Sequence, residues 1–124
     1  MSLTTNKVAL FTNSITPAYT TNTAYGVSPF DANEVSGTGY TAGGIVVASP
    51  TLTASSGIIT FDLADPSWAS STITNARCML NYADALAGNN AISLTDFGAD
   101  YSTSNGTFLV TINAAGLWTM DLVP

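Results

Sequence analysis

Three features of the sequence predict an all-β fold, a single antiparallel β-sandwich or jelly-roll-like barrel of about seven or eight short strands. Apolar residues recur at every second position in several runs. Turn-forming residues separate those runs at roughly ten-residue spacing. No stretch sustains a helical period, and no repeat or linker divides the chain. The expectation is one domain over residues 1–124, with 1–6 a short polar N-terminal arm and 13–44 a long contact loop.

The first strand is KVALFT, residues 7–12, with Val8 and Leu10 on one face and Ala9 and Phe11 on the other. A strand apolar on both sides belongs at the centre of a sheet or at an interface. Residues 13–44 are rich in Thr, Gly and Pro and carry no sustained period. A loop of that length is uncommon in a compact domain unless it meets a partner or crosses between sheets. Ile45 to Ala48 reads as a short strand that Thr51 to Thr53 continue beyond Pro50. Ser55-Ser56-Gly57 turns the chain into IITFDL, where Ile59, Phe61 and Leu63 point inward. Trp68, beside a turn at Asp65-Pro66, reads as a plug at the end of a core. Ser71 to Tyr82 is the longest strand candidate, with Cys78, Leu80 and Tyr82 on one face and Arg77, Met79 and Asn81 opposite. Residues 83–90 have room for one helical turn, ended by Gly88-Asn89-Asn90.

The last third, 91–122, holds three alternating runs. Phe108, Val110 and Ile112 share one face of the middle run, and Trp118, Met120 and Leu122 share one face of the last. Asn113-Ala114-Ala115-Gly116 between them suits a tight hairpin, so the three runs are expected to form a β-meander.

Only 8% of residues are charged, against roughly a quarter in an average soluble domain. The surface must be covered by Thr, Ser, Asn and Gly, which suits packing against other protein. The net charge is −6, with Lys7 and Arg77 the only side-chain cations. Two cations cannot neutralise a run of phosphates, which excludes nucleic acid as a partner, and the same deficit argues against an anionic membrane. Residues 1–10 lack the apolar core of a signal peptide, and no run reaches transmembrane length.

Chemistry is equally constrained. No histidine is present, which removes His-based triads, His-ligated zinc and the commonest general base. Cys78 is the sole cysteine, so no intrachain disulfide and no thiolate cage can form, and its apolar run predicts a buried structural thiol. Glu34 and the seven aspartates show no pair set up for acid–base work. Asp96-Phe97-Gly98 copies a kinase tripeptide but lacks the other kinase motifs; it reads as a strand end with Gly98 in a turn. Asp96, Asp100 and Asn105 put oxygen donors near one loop, but without EF-hand spacing, and turn chemistry accounts for them. Ser36-Gly37-Thr38-Gly39-Tyr40 is no phosphate cradle, since no lysine or helix follows. No catalytic residue, cofactor site or metal site is expected.

Three segments carry a resemblance: NEVSGTGYTAGG at 33–44, FDLADPSWASSTITNARCMLNY at 61–82 and DFGADYSTSNGTFLVTINAAGLWTM at 96–120. In this order and spacing they resemble a family of small virion structural proteins of tailed bacteriophages. The resemblance implies a non-enzymatic component. As a capsid decoration (cement) protein it would sit on the outer surface of the capsid, bind the major capsid protein and close into a homo-oligomer, a trimer, through its first strand. As a tail or tail-fibre module it would bind a host surface glycan through Trp68, Tyr25, Tyr40 or Tyr101. The compact chain without coiled-coil heptads favours decoration. Candidate partner contacts, from the arm and the long loop, are Thr4, Asn6, Pro17, Tyr19, Tyr25, Pro29, Phe30 and Tyr40.

Overall fold

The computed structural model describes residues 5–18, 20, 21 and 23–122. Nine strands and no helix occur among them: β1 (Asn6–Phe11), β2 (Ile45–Val46), β3 (Thr51–Ser55), β4 (Ile58–Asp62), β5 (Ser67–Ser71), β6 (Ala76–Ala83), β7 (Asn90–Tyr101), β8 (Gly106–Leu109) and β9 (Trp118–Asp121). They form three antiparallel sheets, ordered β2-β1-β6-β7, β3-β4-β9 and β5-β8. The all-β sandwich expected from sequence is what the chain forms, without a closed barrel.

The four-stranded sheet is the middle layer. Val8 and Leu10 of β1 and Met79 of β6 face the main core, which includes Phe61, Leu63, Trp68, Ile73 and Phe108 from the other sheets and their connections. Ala9, Phe11, Cys78, Leu80 and Tyr82 face the opposite way and are covered by Ile15 and Phe30 of the long loop, with Tyr25 packed against them. β1 is therefore central, flanked by β2 and β6. Both its apolar faces are consumed inside the molecule, so it is not the surface on which copies would close. Asn6, expected in the arm, begins β1 and is fully buried.

Residues 13–44 differ from the expected free contact loop, because much of the segment forms a layer over the sheet. Ile15, Ala24, Phe30 and Val35 are buried. Gly44 marks a point where the segment touches β1: a Cβ there would lie 1.7 Å from the Val8 carbonyl oxygen, at a φ of +72°. Gly37 meets Thr72 in the same way, at 1.8 Å. No side chain fits at such approaches, which explains why this stretch is rich in glycine without cradling phosphate.

Thr51–Ser55 does not continue β2. The chain leaves the four-stranded sheet after Val46 and enters the three-stranded one at Thr51. The β3–β4 hairpin closes on Ser56 and Gly57, with φ of 50° and 79°. Positive φ at both central residues is the twist-matched two-residue turn. The long strand candidate is shorter than expected: Ser71 closes β5, residues 72–75 lie in no strand, and β6 begins at Ala76.

The expected meander does not form. β7 pairs with β6, β8 with β5 and β9 with β4, so three consecutive strands enter three different sheets. The Asn113–Gly116 turn exists, with the Gly116 N–H donating to the Asn113 carbonyl at 2.8 Å. It joins no paired strands; instead Leu117 donates to the Phe61 carbonyl at 2.8 Å, delivering β9 to β4. Alternation identified each run as a strand but carried no information on its neighbour. Residues 83–90 form hydrogen-bonded turns rather than a helical turn.

Candidate functional site

The eight expected contact residues divide three ways. Thr4 and Tyr19 lie outside the described residues. Asn6 and Phe30 are buried. Pro17 lines two shallow surface depressions, Pro29 is half-buried after a cis peptide bond, and Tyr25 and Tyr40 are half-buried in a hydrogen-bonded cluster.

That cluster centres on Glu34, the chain's sole glutamate. Its Oε1 accepts from the Tyr40 hydroxyl at 2.6 Å and the Gly43 N–H at 2.7 Å, and its Oε2 accepts from the Tyr25 hydroxyl at 2.8 Å. The Tyr40 hydroxyl also accepts from the Leu10 N–H at 2.9 Å. Tyr82 donates to the Gly43 carbonyl at 2.7 Å and stacks on Tyr25, with ring centroids 4.7 Å apart. Burial, then the Glu34 carboxylate, pushes the Tyr25 phenol up to about 12. Burial does the same to Tyr40, with Glu34 next, and to Tyr82, with Asp84 next; both lie well above the ordinary phenol range. The cluster is a staple that fastens the long segment to the sheet. In the sequence Glu34 stands out only as a lone glutamate among tyrosines and glycines, and weighing it as one of eight carboxylates gives no sign of this role.

Trp68 is buried, stacked near Tyr40 and edge-on to Phe108, and plugs the core as expected. Of the four aromatic residues considered for a glycan, Tyr101 alone is substantially open, at 51% exposure. It lies on the flank of a groove of about 390 Å³ lined by Phe97, Tyr101, Ser102, Thr103, Thr107, Phe108, Leu109, Val110 and Thr111.

A bulge in β7 builds that flank. Cys78 pairs with Asp96 and Ala76 with Tyr101, so four residues, Phe97 to Asp100, stand opposite Arg77 alone. Arg77 Nε donates to Asp96 Oδ1 at 2.9 Å, and its Nη1 lies 3.6 Å from Asp100 Oδ1. Gly98, at a φ of 78°, donates its N–H to Asp96 Oδ1 at 2.7 Å, and Asn13 donates to Asp100 Oδ2 at 3.2 Å. The Gly98 N–H and then the Arg77 guanidinium hold the Asp96 carboxyl below the usual carboxylate range. Asp-Phe-Gly thus lies within β7, not at a strand end, and its Asp and Gly make the side-chain-to-backbone turn. Asp96 and Asp100 are occupied by Arg77, while Asn105 sits apart in the turn before β8, its N–H donating to Thr72 Oγ1 at 3.0 Å. No group of three metal-ligating acids, cysteines or histidines occurs among the described residues.

Cys78 is buried, and its thiol approaches the Phe11 carbonyl oxygen at 3.9 Å. Burial first and Asp96 second, partly opposed by Arg77, push it up to about 11. Such a thiol is unreactive at neutral pH.

A second surface feature lies on the three-stranded sheet. Leu52, Phe61 and Trp118 align across one row of its apolar face, and Ala54, Ile59 and Met120 across the next. The first row reaches the core through Phe61, on which Trp118 stacks at 5.6 Å. The second row runs past it: Ala54 is exposed, Met120 is 51% exposed, and beside them Leu52 is 44% and Leu122 59% exposed. Set against known protein families, curated proteins and solved structures, the chain finds no match.

Proposed function

We propose that this chain is a non-enzymatic structural protein of a tailed-bacteriophage virion, a decoration (cement) protein that binds the major capsid protein on the outer surface of the capsid and stabilises the head. The observation that carries this reading is the uncovered apolar end of the three-stranded sheet, Leu52, Ala54, Met120 and Leu122 around the half-buried Ile59. It sits on a chain with only 8% charged residues. An exposed apolar strip on a surface of threonines and serines is suited to repeated lateral packing. The order of the three segments at 33–44, 61–82 and 96–120 supports the virion assignment. Homo-oligomer closure, as a trimer, would use a surface other than this strip and other than β1, which is spent inside the molecule.

The test is addition of the purified protein to phage heads lacking it. Saturable binding and a raised temperature of head disruption are expected, both lost in a Leu52→Asp, Met120→Asp double variant that still folds. No binding at micromolar protein overturns the reading. The open Tyr101 groove favours a second reading, a tail or tail-fibre adhesion module that binds a host glycan; copy number per particle separates the two, since hundreds of copies exclude a tail tip.

A further inference from the structure

From the groove beside Tyr101 we infer a binding site for an uncharged saccharide, with the Tyr101 ring as the stacking surface. The inference concerns this groove alone and does not rest on where in a virion the protein sits. None of its nine lining side chains is charged, in a chain of net charge −6. The bulge achieves this by sorting its residues: Asp96 and Asp100 turn to Arg77 and Asn13, while Phe97 and Tyr101 line the groove. Phosphates, sialic acids and cationic groups would therefore find no counter-charge. The volume of about 390 Å³ lies in the range of small-ligand sites, roughly 300–1,000 Å³.

The lining matches the two surfaces of a sugar ring. One flank is the half-exposed Tyr101 ring, held edge-on by Phe97 at 6.2 Å and 78°. The buried Phe108 ring, 6.4 Å from Phe97, contributes an apolar base. The C–H face of a pyranose packs on such a ring, and its hydroxyls need donors and acceptors around the edge. Thr107 and Thr111, exposed in the same lining, make no side-chain hydrogen bond among the described residues. Ser102 and Thr103, by contrast, are committed to the fold: Ser102 Oγ accepts from Asn75 N–H at 2.9 Å, and Thr103 Oγ1 from Ile73 N–H at 3.2 Å. The site thus has an aromatic face carried by an ion-paired bulge and free threonine hydroxyls in the same lining. That is a pre-organised arrangement, and it loses little freedom on binding.

Saturation-transfer NMR on the intact chain tests it, with methyl glucoside, methyl galactoside, lactose and maltose as probes and glucuronate as the charged counterpart. At least one neutral probe is expected to receive saturation on its ring C–H protons, with affinity near the millimolar range. Tyr101→Phe should keep binding within about twofold and Tyr101→Ala lose about tenfold, the stacking surface being the difference. Met120→Ala, on the other surface, should change nothing. The inference is overturned if no neutral probe responds at millimolar concentration, if glucuronate is preferred, or if Tyr101→Ala binds like the parent protein.

Discussion

β6 and β3 are both antiparallel strands in the same small protein, and they live in opposite environments. Seven of the eight residues of β6 are buried, whereas all five of β3 are exposed. The difference does not come from pairing, since each hydrogen-bonds along its length to a neighbour. It comes from layers. β6 lies in a sheet covered on one side by the other sheets and on the other by the 13–44 segment, as helices cover a parallel sheet. β3 is the edge of a sheet with one partly covered face, and no strand among the described residues pairs beyond it. The comparison teaches that the irregular segment is structural, and that the three-stranded sheet leaves part of its apolar face accessible.

Substitutions can break that comparison. The largest effect is expected from paired truncations on the two sides of the four-stranded sheet, Phe61→Ala in the main core and Phe11→Ala under the loop, both fully buried. Each should cost about 3–5 kcal/mol in urea unfolding. A Phe11→Ala cost under about 1 kcal/mol would show that the loop layer is not a true core. Glu34→Gln comes next, at about 1–3 kcal/mol, since the amide cannot accept from all three donors as the carboxylate does. Its loss should appear as faster amide exchange across 25–43 while the three-stranded sheet stays protected. Smallest is Leu52→Ser, expected to stay within about 0.5 kcal/mol of the parent, because this exposed side chain contributes little to the monomer. Light scattering alongside the melt would show whether association changes where stability does not.

Titration sharpens the contrast from another direction. Tyr25, Tyr40 and Tyr82 all have folded pKa values raised above the ordinary 10.0. The folded state then favours the neutral phenol. Their contribution is fully present below pH 10 and declines as pH rises toward and through the folded values. The melting temperature should therefore fall from about pH 10 upward, with the part of the tyrosinate absorbance at 295 nm that Tyr25→Phe, Tyr40→Phe and Tyr82→Phe variants remove following unfolding rather than preceding it. Asp96 has the opposite sign: its lowered folded value gives stability present above the ordinary 3.8 and lost as pH falls. Because the Gly98 N–H is the larger cause, an NMR titration of Arg77→Gln should still find Asp96 below its ordinary value.

Much of the local structure was legible in the sequence. Val8, Leu10, Ala9 and Phe11 announced a strand buried on both faces, Ser55-Ser56-Gly57 a turn, and Cys78 and Trp68 their burial. What could not be read was partnership. Phe108 and Trp118 sit in neighbouring alternating runs, yet one pairs with Trp68 and the other with Phe61. Neighbours are chosen by packing over the whole chain, and period-two alternation is blind to that. The long segment misled for a related reason: its buried residues, Ile15 and Phe30 on one side of the four-stranded sheet and Val35 in the main core on the other, have no period because they follow the sheet rather than their own backbone repeat. The groove was hidden too, since Tyr101 became distinct only once the bulge had turned the neighbouring acids away.

The dispersal of β7, β8 and β9 into three sheets also bears on how the molecule assembles itself. Local closure can produce only the β3–β4 and β6–β7 hairpins; β1 must find β6, and β9 must find β4, across about half of the chain. Loops of that length must close before the contacts they bring are gained, which places refolding in the slow range of roughly milliseconds to seconds. Pulse-labelled hydrogen exchange should find β9 among the last strands protected. Until it docks, one edge of β4 stays open, so newly made chains are most vulnerable to edge-to-edge aggregation at the moment their C-terminal strand is still searching.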